Sequence, residues 1–253
     1  MSLYYVYLRW YKEKDSRCGQ WARQILTCES RYVADEFFRA CKELKDTRGR
    51  SRFTRLERNN PQFWLYDTTD GDPWMSLFDI LGANLGMPDS VKGRIMPTLL
   101  HDGPSRIWDA APVIPGRDWV HNCSYFIRNI RQPELYWSLD PSSSNILVSD
   151  KQKTKFRVSA VQFGRDDKNK VLTRSDIVRL SLPNNPAAVG ATAHVRVATD
   201  SGVICGADAG EFTFRFGDLL GNFGSKWAAH PAGDAREFLT WSEQGEQDDW
   251  ELC

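Results

Sequence analysis

A balanced charge and a moderate apolar content narrow the kinds of protein that this chain of 253 residues can be. The 33 basic and 33 acidic side chains cancel, which argues against whole-chain attraction to nucleic acid or to an anionic membrane. Hydrophobic residues make up 41% of the chain and no apolar run reaches the length of a membrane span, so we expect a folded cytoplasmic protein without membrane contact.

The first hundred residues mix strand and helix periods. The segment YYVYLRW, from Tyr4 to Trp10, is rich in residues that favour strands. Apolar side chains from Ser30 to Leu44 recur at intervals of three and four, which predicts a helix capped by Ser30. The segments RFTRLER (52–58) and QFWLYD (62–67) have the composition of strands, and the Asn-Asn-Pro sequence between them predicts a turn.

A second helix is predicted between Asp72 and Gly86. Asp72 can cap this helix, Pro73 suits its first turn, and Gly86 can end it. A third, short helix is predicted between Ser90 and Leu100. These elements together indicate a small α+β domain over residues 1–103. A connector rich in proline and glycine follows at 104–123 and marks the predicted domain boundary.

The remaining residues, 124–253, indicate an all-β domain, because short apolar runs alternate with turn residues. Four runs, YFIRNI, LYWSLD, ILVSDK and KFRV, are followed by IVRLSL, HVRVATD, VICGAD and FTFRF, and then by LLGNFG, KWAAH, EFLTWS and DWEL. Each set ends in a triplet that begins with an aromatic residue, namely Phe156, Phe214 and Trp250. Three such sets can close one barrel, so we expect these rings to share one interior.

This repeat resembles the β-trefoil superfamily over about Ser124 to Cys253. The aromatic triplets stand where ricin-type lectin repeats carry Q-x-W, although no Q-x-W occurs in this sequence. The run SYFIRNIRQPELYWSLD also looks like the opening of fascin-like and cytosolic fungal lectin repeats. The resemblance implies twelve strands with pseudo-threefold symmetry and binding sites on loops, and it does not imply catalysis.

Side chains suited to binding a sugar cluster around the first predicted hairpin. A sugar needs an aromatic face for stacking and Asp, Asn or Gln side chains for its hydroxyl groups. The candidate ligand-binding residues are Tyr136, Trp137, Asp140 and Asn145 in the first set of runs and Trp241 in the third. In the alternative interpretation both tryptophans are core residues, and Asp140 begins the turn before the following proline.

No catalytic motif is found. The four histidines lack a metal-binding spacing, no serine lies in G-x-S-x-G, and no two of the six cysteines form C-x-x-C. We therefore predict no metal site, no cofactor and no catalytic residue, and we expect reduced thiols. An enzyme with its site in residues 1–103 is kept as an alternative.

Two basic segments interrupt the balanced charge. KDTRGRSRFTRLER (45–58) and SDKQKTKFRV (149–158) could bind phosphate groups, but solvated loops and hairpin turns explain them more simply.

The sequence as a whole predicts a non-catalytic binding protein that is lectin-like and recognises a glycan through its hairpin loops. The alternative is an intracellular protein-interaction or protease-inhibitor trefoil, for which a protein would be the ligand. The oligomeric state is left open, and a homodimer is one alternative.

Overall fold

The computed structural model describes residues 3–11, 23–69, 73–83, 86–100, 117–140, 142–167, 169–183, 192–206, 212–229 and 233–253. The chain divides into two compact units, unit 1 (Met1–Asp118) and unit 2 (Trp119–Cys253). The bounds 1–103, 104–123 and 124–253 stay a prediction. Asp72, the expected cap of the second helix, and most of the expected connector lie outside the described residues.

Unit 1 is built on one five-stranded sheet. Its strands are β1 (Tyr4–Trp10), β2 (Arg23–Cys28), β3 (Phe53–Asn60), β4 (Phe63–Thr68) and β5 (Ile95–Leu99), and its helices are α1 (Arg31–Glu43) and α2 (Pro73–Gly82). The sheet order is β3–β4–β1–β2–β5. Strands β1 and β4 are parallel, and the other neighbours are antiparallel.

The prediction of an α+β N-terminal domain is wrong, because strands predominate in the structure and α1 and α2 are the only α-helices among the described residues. Sequence patterns missed β2 and β5, which extend the sheet on one side of β1. The predicted helix from Ser90 to Leu100 is replaced by a turn and β5. This strand pairs with β2 from Ile95 to Leu99, and it tolerates Pro97 because β5 is an edge strand.

Helix α1 begins where the sequence predicts it. The Ser30 hydroxyl accepts a hydrogen bond from the backbone N–H of Val33 at 3.4 Å, so the predicted N-cap is confirmed. Val33, Phe37 and Cys41 are buried on one face of the helix. An edge-to-face contact of 5.0 Å between Phe38 and Trp64 joins the helix to β4.

A buried ion cluster also ties α1 to the sheet. The Arg58 guanidinium on β3 lies 2.7 Å from the Asp35 carboxylate on α1 and 3.1 Å from Asp118. The guanidinium stands over the rings of Phe38 and Trp64, at 4.9 and 5.3 Å from their centroids. Aromatic faces therefore cover a charge that two carboxylates balance.

Unit 2 consists of short strands and two single-turn 3₁₀ helices. Its strands are β6 (Cys123–Tyr125), β7 (Ile127–Asn129), β8 (Tyr136–Leu139), β9 (Ile146–Ser149), β10 (Phe156–Ala160), β11 (Ile177–Ser181), β12 (His194–Val197), β13 (Val203–Gly206), β14 (Phe214–Arg215), β15 (Leu220–Ala229), β16 (Ala235–Trp241) and β17 (Asp248–Leu252).

The strand pairings of unit 2 recur along the chain. Three hairpins, β8–β9, β12–β13 and β15–β16, come from the three predicted sets of runs. The strands between these hairpins also pair. Strand β10 pairs with β6 and β11, and β11 pairs in addition with β14. Strand β17 pairs with β15 and β7. Six strands close a barrel in the order β15–β16–β9–β8–β7–β17. No described helix in either unit is long and apolar enough to cross a membrane.

One aromatic cluster fills the interior of unit 2. Trp137 contacts Phe156, Phe223 and Trp250 at centroid distances of 6.0, 4.8 and 5.8 Å. Phe214 contacts Phe223 at 5.2 Å, and all five rings are buried. The prediction that the three triplet aromatics share one interior is therefore confirmed.

Candidate ligand-binding site

The five residues predicted to bind a ligand do not meet in one place. Trp137 is fully buried in the aromatic cluster, so its ring cannot stack on a ligand in solution. It occupies the core position that the alternative interpretation assigned to it.

Asp140 organises a turn. Its buried carboxylate accepts hydrogen bonds from the hydroxyl of Ser142, at 2.9 Å, and from that of Ser143. The side-chain amide of Asn145 donates to the Ser143 hydroxyl at 2.9 Å. These contacts stay within the β8–β9 hairpin, and they are the pattern expected of an aspartate that begins a turn.

Tyr136 lies on a partly exposed surface beside a basic segment. Its ring contacts Phe126 edge to face at 6.4 Å, and the Lys153 ammonium stands 4.9 Å from its centroid. Tyr136 is thus near the surface. Its side chain and that of Trp137 point to opposite faces of β8, because neighbouring residues of a strand alternate between its two faces.

An open cleft of about 480 Å³ lies between the β8–β9 and β15–β16 hairpins; we name it the Trp227 cleft. The Trp227 side chain is 70% exposed, which is unusual for the largest apolar side chain and marks a surface available for contact. Polar and apolar residues line the cleft together with Trp227. The lining includes Leu147, Asp150, Lys151, Gln152, Arg236 and Glu237.

Two hairpins position these groups. Trp227 is the register partner of Glu237 in the β15–β16 ladder, so both side chains lie on one face. The Ser225 hydroxyl donates a hydrogen bond to the Glu237 carboxylate, which orients it. Arg236, next to Glu237 on β16, ion-pairs with Asp234 at 3.0 Å and with Asp140 at 3.8 Å, and the second contact connects β16 to the β8–β9 turn.

The Trp227 cleft combines the groups that hold a polyhydroxylated ligand. An exposed indole offers a flat apolar face, while two carboxylates, an amide, a lysine and an arginine offer acceptors and donors around it. These four charged residues, Asp150, Lys151, Arg236 and Glu237, balance one another, so the cleft itself has no strong preference for an anion or a cation.

A second cleft contains the remaining predicted residue, Trp241. This cleft of about 510 Å³ is lined by Ile177, Phe214, Arg215, Asp218, Asn222 and Glu243 besides Trp241. Burial raises the pKa of Asp218, although its carboxylate accepts the backbone N–H of Arg215 at 2.8 Å. Trp241 is less exposed than Trp227, so it offers a smaller stacking face.

The described part of the chain shows no arrangement for metal binding. It holds no group of three or more His, Cys, Asp and Glu side chains that could bind an ion. His121 is buried, and its Nδ1 accepts the backbone N–H of Ala160 at 3.0 Å. Cys28, Cys41 and Cys205 are buried, and burial raises the pKa of each thiol. All four side chains are thus buried inside the protein.

The sequence analysis did not identify Trp227 as a candidate binding residue, because the alternation of residues along a strand does not show whether a tryptophan is buried or exposed. Phe223, Ser225 and Trp227 lie on one face of β15, and Phe223 is in the core. No sequence signal marks it: β15 has ten residues, where a strand usually has five or six, and the sequence analysis divided this stretch into the two runs LLGNFG and KWAAH. The additional residues extend beyond the core and carry Trp227 onto the hairpin.

Comparisons with known proteins give little further guidance. No protein-family model matches the sequence, and no curated protein matches it. Among solved structures, the crystal structure of the botulinum neurotoxin serotype C1 binding domain is similar, with 12% sequence identity and a TM-score of 0.38. The match covers 54% of this chain and 44% of that chain, which is less than half its length. A similarity at this level assigns the chain neither a family nor a function.

Proposed function

We propose that unit 2 is a pseudo-threefold β-trefoil that binds carbohydrate at the Trp227 cleft, without catalysing a reaction. The observation that carries the proposal is the exposure of Trp227 in a cleft between two hairpins that carboxylate, amide and guanidinium residues also line. The apolar face of a pyranose ring stacks on an indole, and its hydroxyl groups then reach the polar rim.

The trefoil assignment is supported by the pairing pattern within unit 2. Three hairpins alternate with strands that pair among themselves, and the three triplet aromatics lie in one cluster. This arrangement places hairpin surfaces at the outside of the barrel, where a ligand can approach two of them together. The cytoplasmic location expected from the sequence stays a prediction.

A protein ligand is the alternative, because an exposed tryptophan is also a frequent anchor in protein interfaces. The polar composition of the Trp227 cleft favours carbohydrate, since Asp150, Lys151 and Gln152 can each bind a hydroxyl group. The two alternatives differ in what competes for binding: free oligosaccharide displaces a glycan ligand but not a protein one.

A glycan array probed with the labelled full-length protein tests the proposal. We expect binding to at least one glycan class, and about a tenfold or greater loss of affinity in Trp227→Ala. Trp241→Ala is the matched control, because it removes an indole from the other cleft, and it should bind normally. Absence of binding across a broad array, or equal binding by wild type and Trp227→Ala, would overturn the proposal. Loss in Trp241→Ala alone would move the site to the second cleft.

A further inference from the structure

Four cations occur at every second position along one exposed segment of unit 2: Lys151, Lys153, Lys155 and Arg157. We name them the basic stripe. All four side chains are exposed. Phe156, between Lys155 and Arg157, and Val158, directly after Arg157, are buried. Arg157 lies on β10, whereas Lys151 lies in a turn in which the Ser149 hydroxyl accepts the backbone N–H groups of Lys151 and Gln152. Lys153 and Lys155 lie on the chain between this turn and β10.

Two aromatic rings support the centre of the stripe. The Lys153 ammonium lies 4.6 Å from the centroid of Phe126 and 4.9 Å from that of Tyr136. The Lys155 ammonium lies 5.2 Å from the same Phe126 ring. One ring therefore holds two positive charges on the same surface, which cation–π attraction favours and mutual repulsion opposes.

At its Lys151 end the stripe adjoins Asp150 and Glu237 in the Trp227 cleft, whereas its other three cations are not among the lining residues of that cleft. Within the described ranges, no carboxylate is in ion-pair contact with any of its four members, although such pairs exist close by. Arg128 pairs with Glu251 at 2.7 Å, and Arg131 pairs with Asp249 at 3.6 Å. Glu251 and Asp249 are thus engaged with other cations, and an external anion would supply the charge opposite Lys153, Lys155 and Arg157.

The stripe is continuous with the proposed sugar site, because Lys151 also lines the Trp227 cleft. Resting on the function proposed above, we infer that the ligand is a linear acidic saccharide whose sulfate or carboxylate groups lie on Lys153, Lys155 and Arg157 while one sugar ring stacks on Trp227. The inference gives the basic segment 149–158 a binding role in place of the solvated turn expected from the sequence.

The surroundings favour a saccharide over a nucleic acid. Asp150 and Glu237 line the cleft beside Trp227, and their carboxylates would repel a backbone with a phosphate at every residue. A saccharide with intermittent charge presents hydroxyl groups at these positions instead, and hydroxyl groups donate to carboxylates. The zero net charge of the whole chain likewise gives no general attraction to nucleic acid.

The experiment measures binding of the full-length protein to three probes by calorimetry. They are a sulfated linear oligosaccharide, the same oligosaccharide after desulfation, and a single-stranded DNA of similar length. The variants are Lys153→Gln/Lys155→Gln, Trp227→Ala, and the charge-matched control Lys42→Gln/Lys45→Gln, which removes two exposed lysines from unit 1. A circular dichroism melt of each variant checks its fold.

We expect the sulfated probe to bind about tenfold more tightly than the desulfated one, with an affinity that falls as salt increases. Lys153→Gln/Lys155→Gln should lose most of this difference and keep its affinity for the desulfated probe, and the unit 1 control should match wild type. Trp227→Ala should weaken both saccharides.

Four results would overturn the inference, and they differ in what else they overturn. Equal binding of both saccharides, or no effect of Lys153→Gln/Lys155→Gln, removes the basic stripe but leaves the sugar site. Tighter binding of the DNA than of the sulfated saccharide replaces the saccharide by a nucleic acid. Absence of binding to either saccharide removes the proposed function together with the inference.

Discussion

The guanidinium of Arg58 lies 2.7 Å from the carboxylate of Asp35, and both side chains are almost completely buried. A second ion pair from Arg31, at 3.5 Å, reaches the same carboxylate along α1. A buried charge without a partner carries a large desolvation penalty, so each charge in the cluster requires the others. The ion pairs therefore hold α1 against β3.

Replacing Arg58 with methionine should therefore destabilise unit 1. The variant keeps much of the apolar stem but leaves Asp35 and Asp118 without their shared cation, which should cost about 3 kcal/mol of unfolding free energy. Urea denaturation of the full chain measures this change. Arg50→Met is the control, because Arg50 pairs with Asp46 at an exposed site and should have a much smaller effect. Equal effects of the two variants would contradict the buried-cluster account.

The tryptophans of unit 2 should separate into structural and binding residues. Trp137→Ala removes the centre of the aromatic cluster and should lower the unfolding free energy by about 4 kcal/mol. Trp227→Ala removes an exposed ring and should leave stability within about 0.5 kcal/mol of wild type. Thermal melts followed by circular dichroism compare them. A large loss of stability in Trp227→Ala would show that its ring packs more than the structure indicates.

The stability of unit 2 should fall below about pH 6.5 because of His121. Burial lowers the pKa of His121 from its ordinary value of 6.5, and the charges of Asp167 and Asp176 only partly oppose this shift. Between the lowered pKa and 6.5 the unfolded chain binds more protons than the folded one, so stability is complete above this window and is lost as the pH falls. Protonation would also remove the Nδ1 acceptor used by Ala160.

Denaturation midpoints from pH 8 to pH 5 measure this dependence. His121→Asn is the matched variant, since its side-chain oxygen can accept in place of Nδ1 and does not titrate. The variant should have a flatter profile over the same range. Parallel profiles for wild type and His121→Asn would exclude His121 as the source.

The thiols should react in an order set by burial. Burial raises the pKa of Cys28 to about 12 and that of Cys205 to about 11, so few thiolates exist at pH 8. We expect iodoacetamide to label the partly exposed Cys123 in the native protein, and to label the buried Cys28 and Cys205 only after denaturation. Peptide mapping by mass spectrometry gives the order. Rapid native labelling of Cys28 would contradict its placement on β2.

Local signals in the sequence predicted those elements whose cause is local. The cap at Ser30 and the spacing of Val33, Phe37 and Cys41 gave the position of α1. The repeated triplets predicted a shared interior because a charged residue and then an apolar residue follow each aromatic residue, and the structure brings these rings into one cluster. Strands β2 and β5 were missed since their pairing depends on partners tens of residues away, which no local pattern reveals.

The candidate site was harder to predict because burial decides which polar and aromatic residues are available. Trp137 and Trp227 both lie on strands, yet one is fully buried and the other is 70% exposed. The difference depends on how far β15 extends past the barrel, and only the three-dimensional structure contains this information. Asp140 likewise resembled a ligand-binding residue, but its bonds to Ser142 and Ser143 identify a turn.

The position of β17 has a consequence for synthesis of the protein. This strand, Asp248–Leu252, pairs with both β7 and β15, and the backbone of Cys253 exchanges two hydrogen bonds with Phe126. The barrel therefore cannot close on the ribosome until these residues have left the exit tunnel, whereas the strands of unit 1 emerge long before. Nascent unit 2 chains must remain open until β17 has left the exit tunnel, and their aromatic residues are accessible to chaperones during that time.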